Sequence, residues 1–222
     1  MKKVIVLLVC ILLCGCAEQG DLNSELDAVF SSDEEYQKVR RNNYSEYIDY
    51  YLPSDTGEMD SDKIGALFLY NSSSFIMDIN IAGILNGRYY PNEMMKTEGF
   101  FDESKKVYER TGNYVDNEKA SHEYIYKVYE HDGKYLSEFV SRDLVFYGYG
   151  TKSDIIPLSS RILLMAKGAI VREKNVVDAF SSRNEIDYEK KEVNLFETVM
   201  PVNGNVNDFM VDKEENNDNV VE

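Results

Sequence analysis

The spacing of apolar residues changes along the chain, and each change marks a new element. Val4 to Leu13 is an unbroken apolar run of ten residues behind Met1-Lys2-Lys3. A hydrocarbon core of about 30 Å takes about 20 residues to span, so this run is too short to cross one and has instead the length of a secretory leader's apolar stretch. Further on, Tyr36, Val39, Tyr44, Tyr47, Ile48, Tyr51 and Leu52 fall close to the i, i+3, i+4, i+7 recurrence of one helical face. Asp33-Glu34-Glu35 stands where acidic residues favour a helix N-terminus, with Ser31 or Ser32 as cap, and Pro53 stops the pattern. The spacing predicts an N-terminal helix over 32–52, with residues 24–30 as an earlier turn or two on the same axis.

After Pro53 the period shortens. Residues 53–63 are dense in turn formers and read as a loop. Residues 66–70 and 75–84 read as strands joined by a turn at 71–74, with Asn86-Gly87 closing the second. Residues 88–105 are irregular, with a short helix at 92–96. The middle third is the clearest β region: 107–115, 123–130, 135–141 and 144–149 are rich in Tyr, Val and Phe, and His131-Asp132-Gly133-Lys134 is a hairpin signal because Gly accepts positive φ. Beyond Pro157, Ser159-Ser160 can cap a helix through 161–166, a second helix is expected over 173–180, and 188–199 reads as a closing strand ended by Pro201. Residues 203–222 hold six Asn among acidic residues and cannot bury enough surface to order themselves. The expected architecture is α+β: an N-terminal helix, an antiparallel meander of about six strands, a C-terminal helical segment and a closing strand.

Composition is consistent with one real core, at 43% hydrophobic and 12% aromatic with four Pro. Charge narrows the partners. The 24 Lys and Arg stand against 40 Asp and Glu, a net charge of −16, and phosphate backbones are bound by clustered cations, which argues against nucleic acid.

The apolar run ends in Leu13-Cys14-Gly15-Cys16. This resembles the lipobox of bacterial lipoproteins, in which an aliphatic residue at −3 and a small residue at −1 precede the cysteine that is acylated and becomes the mature N-terminus. The resemblance covers the first 16 residues. It implies a leader at 1–15, Cys16 as lipid anchor, a short tether over 16–23, one globular domain over 24–202, and an acidic tail at 203–222. An ordinary cleaved secretory signal and a retained anchor are the alternatives. Cys10 and Cys14 follow bulky residues, Val9 and Leu13, which fit the −1 slot poorly. All three cysteines lie in this segment, so the mature chain would hold neither disulfide nor free thiol, and loss of Lys2 and Lys3 would take its charge to −18. Two acyl chains at about 0.8 kcal/mol per buried CH₂ make a stable anchor. The implied location is the cell membrane, on its extracytoplasmic face.

Candidate chemistry changes the picture little. The two histidines, His122 and His131, are nine residues apart, so on one strand they would point to opposite faces. No metal-ligand spacing, P-loop, G-x-S-x-G or other cofactor or catalytic motif is read. The oxygen-rich stretch 55–62 lacks the order of a Ca²⁺ loop and reads as acidic surface. What remains is tyrosine, 17 residues with no Trp. Tyr rings half-bury on a sheet while leaving a hydroxyl free, which makes Tyr124 and Tyr126 on one strand face, and Tyr47 and Tyr51 on the expected helix, a candidate recognition surface. The leading expectation is a non-enzymatic accessory module that meets another envelope protein. The alternatives are a binder of a small molecule, peptide or glycan on a Tyr-lined sheet, and a carboxylate-based hydrolase.

Overall fold

A computed structural model describes residues 20–71, 73–90 and 101–181. The leader with Cys16, the 92–96 helix, the 188–199 strand and the 203–222 tail lie outside the described residues. Within them the chain is α+β. In order come α1 (Leu22–Asp33), β1 (Asn43–Tyr44), β2 (Ile48–Tyr50), β3 (Thr56–Ser61), β4 (Gly65–Tyr70), β5 (Ser73–Ile79) and α2 (Ile81–Tyr89). A 3₁₀ turn at Glu103–Lys105 leads into β6 (Lys106–Val115), β7 (Ser121–His131), β8 (Lys134–Ser141) and β9 (Leu144–Gly150), followed by α3 (Lys152–Gly168), β10 (Ile170–Val171) and α4 (Glu173–Phe180).

Two antiparallel meanders make one seven-stranded sheet in the order β3-β4-β5-β9-β8-β7-β6, and β1-β2-β10 form a small second sheet. The meanders join where β5 pairs β9 in the register Phe75↔Gly148 and Met77↔Phe146. Hairpin chemistry sets the registers locally: Asp132 and Gly133 both hold positive φ between the paired residues His131 and Lys134, the geometry of a two-residue turn whose twist matches the strands.

One face of the large sheet carries the main core. Its cross-strand rows read Arg110–Tyr126–Phe139–Phe146–Met77 and Tyr108–Val128–Ser137–Gly148–Phe75. Leu22, Leu26 and Phe30 of α1, four residues apart, lie on it, as do Ile155, Leu158, Ile162 and Leu163 of α3, all buried. The two helices run parallel: Lys152 pairs with Glu25 at 3.2 Å at their starts, and the Ser160 hydroxyl donates to Asp33 Oδ2 at 2.5 Å near the end of α1. Among the described residues no helix is long and apolar enough to cross a membrane.

The structure corrects several element boundaries. The N-terminal helix is 22–33 with Glu34 as its C-cap, and 35–52 is non-helical and carries the β1–β2 hairpin. Side-chain amides bracket that backbone as a strand partner would: Asn117 accepts from Val39 N–H at 3.0 Å and donates to Val39 O at 2.8 Å, while Asn42 accepts from Leu52 N–H at 2.7 Å and donates to Leu52 O at 2.9 Å. Its Asn, Tyr and Ser content is poor in helix formers, and this long-range bracketing decides against the helical spacing. The expected loop at 53–63 contains edge strand β3, hidden from sequence because every position after Thr56 is exposed, so no buried face alternates with a solvent face, and a bulge breaks the register between Glu58 and Asp60. The expected strand 75–84 stops at Ile79, where Asn80 caps α2 by accepting from Gly83 N–H at 2.9 Å. α3 begins not at Ser159 but at Lys152: the Thr151 N–H and hydroxyl both donate to Asp154 Oδ2, at 2.9 and 2.6 Å. Pro157 lies inside that helix and costs one backbone hydrogen bond, a loss that the complete burial of Ile155 and Leu158 on either side outweighs.

Phe30 is fully buried, with its ring 5.6 Å from Tyr124 and 4.7 Å from Tyr126. Phe30→Ala is expected to lower the unfolding free energy by about 3–5 kcal/mol, read from urea denaturation. A loss below about 1 kcal/mol would mean that α1 does not close the core.

Candidate functional site

The four tyrosines flagged from sequence are building material. Tyr124 and Tyr126 are 0% exposed, so neither ring offers a face to a partner. Tyr124 stacks on Phe139 at 5.2 Å and donates its hydroxyl to Glu34 Oε1 at 2.6 Å. That same oxygen accepts from Arg110 Nε and Nη2, each at 3.1 Å, while Asp27 accepts from the Tyr108 hydroxyl at 2.8 Å. Burial and then the neighbouring carboxylates push both phenols well above the ordinary tyrosine value. This polar seam fastens α1 to β6 and β7. Tyr47 is buried with its ring 6.0 Å from Phe180, and half-buried Tyr51 packs its Cβ where a side chain on Gly168 would have to go.

His122 lies between two carboxylates, with Nε2 2.9 Å from Asp116 and Nδ1 4.0 Å from Asp143, and its ring stacks on Tyr114 at 5.1 Å. His131 sits at the far end of β7, beside Asp132 at 3.6 Å. Among the described residues no group of three or more His, Cys, Asp or Glu is arranged to hold a metal ion.

Among the described residues, two cavities have side chains that could hold a ligand. A cleft of about 120 Å³ opens between the sheets, lined among others by Tyr44, Tyr50, Glu58 and Asp62; the Tyr50 hydroxyl donates to Glu58 at 2.6 Å across it. The second, about 210 Å³, lies between α1 and α3 and is lined by Asp33, Gln37, Ser160, Arg161, Leu164 and Lys167. Both are below the 300–1,000 Å³ of a drug-sized pocket and suit a small group. The second is the better candidate site because it gathers two cations, one of which, Lys167, is buried. Lys167 is 1% exposed and donates to the Glu35 carbonyl at 2.6 Å; burial holds its ammonium below the ordinary lysine value, against the pull of Asp33, Glu34 and Glu35. Arg161 pairs with Asp55 at 2.5 Å and lies over the Tyr70 ring at 5.3 Å. Sequence reading passed over both cations. The available signal was Lys167 four residues after Leu163, on the apolar side of the helix.

The opposite face of the sheet buries a smaller cluster, Leu67, Ile76, Phe101, Tyr129, Leu136 and Tyr149. Charged groups are set into this face. Lys127 reaches Glu103 at 3.0 Å, and Glu138, 4% exposed, has its carboxyl raised by burial, partly offset by Lys127. Asp78 faces Gly65 across the β4–β5 pair, where any Cβ would fall 1.8 Å from its Oδ1. Burial, with Asp62 adding to it, pushes the Asp78 carboxyl up to about 6.

A raised carboxyl favours the folded state while protonated. Its contribution is therefore present below about pH 4 and lost as pH rises through about 6. Asp78→Asn is expected to raise stability at pH 7.5 by about 1–2 kcal/mol and to flatten the fall in Tm between pH 4 and pH 7. An unchanged pH profile in the variant would show that Asp78 is ionised at no cost. The chain matches no known family and no curated protein sequence, so its function is read from its own residues.

Proposed function

We propose that this protein is a lipid-anchored module on the extracytoplasmic face of a cell membrane, held there through Cys16 and acting by contact with a protein of the envelope. The observation that carries the reading is the place where the folded body begins. α1 starts at Leu22, six residues after Cys16. At 3.3–3.6 Å per residue, the six steps from Cys16 to Leu22 reach about 20 Å at full extension, so an acyl group on Cys16 would hold the body against the membrane surface. A partner must then lie in or beside that surface. The net charge of −18 after loss of the leader repels anionic headgroups, which favours a protein over the lipid surface itself as the thing contacted. Tyr44, 70% exposed at the lip of the 120 Å³ cleft, is the natural place to probe for contact.

Cells fed an alkyne-bearing palmitate are expected to label the wild type and not Cys16→Ala, and the variant should move from the membrane to the soluble fraction. A variant that keeps the label or the membrane association would refute the anchor. A photo-crosslinking side chain at Tyr44 is expected to capture one defined membrane protein in intact cells, and one at the buried Tyr124 none; equal yields at both positions would count against a specific partner.

A further inference from the structure

We propose that the cavity between α1 and α3 binds a small oxyanion, a carboxylate or phosphate group, on the ammonium of Lys167 and the guanidinium of Arg161. The inference is independent of the lipid anchor.

The starting point is an under-used buried cation. A lysine ammonium carries three N–H donors, and burying it is costly unless it is paired and hydrogen-bonded. Lys167 has one acceptor, the Glu35 carbonyl at 2.6 Å. Among the described residues no carboxylate oxygen lies within the 4.0 Å of an ion pair, although Asp33, Glu34 and Glu35 all act on the ammonium from further away. Those carboxylates are committed elsewhere. Asp33 accepts the Ser32 hydroxyl on Oδ1 at 3.1 Å and the Ser160 hydroxyl on Oδ2 at 2.5 Å, and Glu34 takes Tyr124 and Arg110.

The second observation lies one turn and a half back on the same helix. Arg161 gives Nη2 to Asp55, but its Nε is buried and makes no hydrogen bond. Two cations on α3 thus line one cavity with donors to spare, and an oxyanion is the chemistry that takes several N–H donors at once. Its size fits. A volume of about 210 Å³ admits a phosphate or a carboxylate with a few carbons, and Leu164 supplies an apolar wall for the latter. Gln37 and the Ser160 hydroxyl add neutral groups to the lining, and the one carboxylate there, Asp33, already holds the Ser32 and Ser160 hydroxyls. A cation is disfavoured there by Lys167 and Arg161 together.

The test uses the full-length protein in mild detergent, with its melting temperature followed against sodium acetate, sodium propionate or inorganic phosphate at an ionic strength held constant with sodium chloride. At least one oxyanion is expected to raise Tm saturably by several degrees. A response to acetate and propionate alone assigns a carboxylate, and one to phosphate alone assigns a phosphate group. Lys167→Met, which keeps the apolar stem, should weaken the response at least about tenfold. Leu164→Phe, which fills the cavity and leaves both cations in place, should abolish it; this variant and Arg161→Gln decide the matter if Lys167→Met does not fold. No saturable shift with any of the three salts would overturn the proposal, and so would a shift that survives intact in Leu164→Phe.

Discussion

The structure depends on covering one aromatic sheet face whose hydroxyls must also find acceptors. Tyr108, Tyr124 and Tyr126 share that face with Phe139 and Phe146, and burying the rings gains the large apolar area that drives folding. The phenols go under with them. α1 resolves both demands with one element, since Phe30 packs on the rings while Glu34 and Asp27, on its acidic side, accept from Tyr124 and Tyr108. Arg110 then pairs with both carboxylates, lying over Phe30 at 5.8 Å as it does so. Glycine sets the depth of the docking. At Gly112 a Cβ would meet Glu34 Oε1 at 2.4 Å, and at Gly148 it would meet Leu158 at 2.5 Å, so each long helix sits over a strand position with no side chain. Of these three phenols the Tyr126 hydroxyl is left over: it lies by the hydroxyls of Ser137 and Ser159 yet makes no hydrogen bond of good geometry.

What could be read from sequence was what is decided locally. The 107–149 meander is legible because alternation and the Asp132-Gly133 turn act within a few residues, and the observed strands β6 to β9 lie within two residues of those expected. The segment 34–52 was illegible for the converse reason. Its apolar residues do fall at helical spacing, but its backbone is satisfied by Asn117 and β10, which stand about 80 to 125 residues away. The same distance hid the fate of Tyr124 and Tyr126. Alternation placed them on one face correctly, and nothing nearby in sequence announced that α1 would lie across it. The cavity at Lys167 joins residues 33 and 37 to residues 160–167, so no local pattern could have assembled it.

Charge is distributed by the same logic of cover and acceptor. On the helix-covered face carboxylates serve tyrosines and an arginine. On the other face Glu138 and Asp78 are set among apolar neighbours with fewer donors, and their carboxyls are displaced upward. Glu138 and Asp78 are therefore ionised at a cost on the face turned away from the two long helices.

The parallel pairing of α1 with α3 has a consequence for how the chain acquires its structure. A ribosome delivers α1 first, but the surfaces it needs arrive late. Phe30 waits for Tyr124, 94 positions on, and Ser160 meets Asp33 only after 127. At 5–20 residues per second that interval is on the order of ten seconds, during which a 12-residue helix with an apolar stripe has no partner and is only marginally helical in water. The β6–β9 meander, built from neighbours in sequence, can form without it. Folding is thus completed backwards, with the first element made being among the last secured, and a nascent α1 is the segment most in need of protection until α3 has emerged.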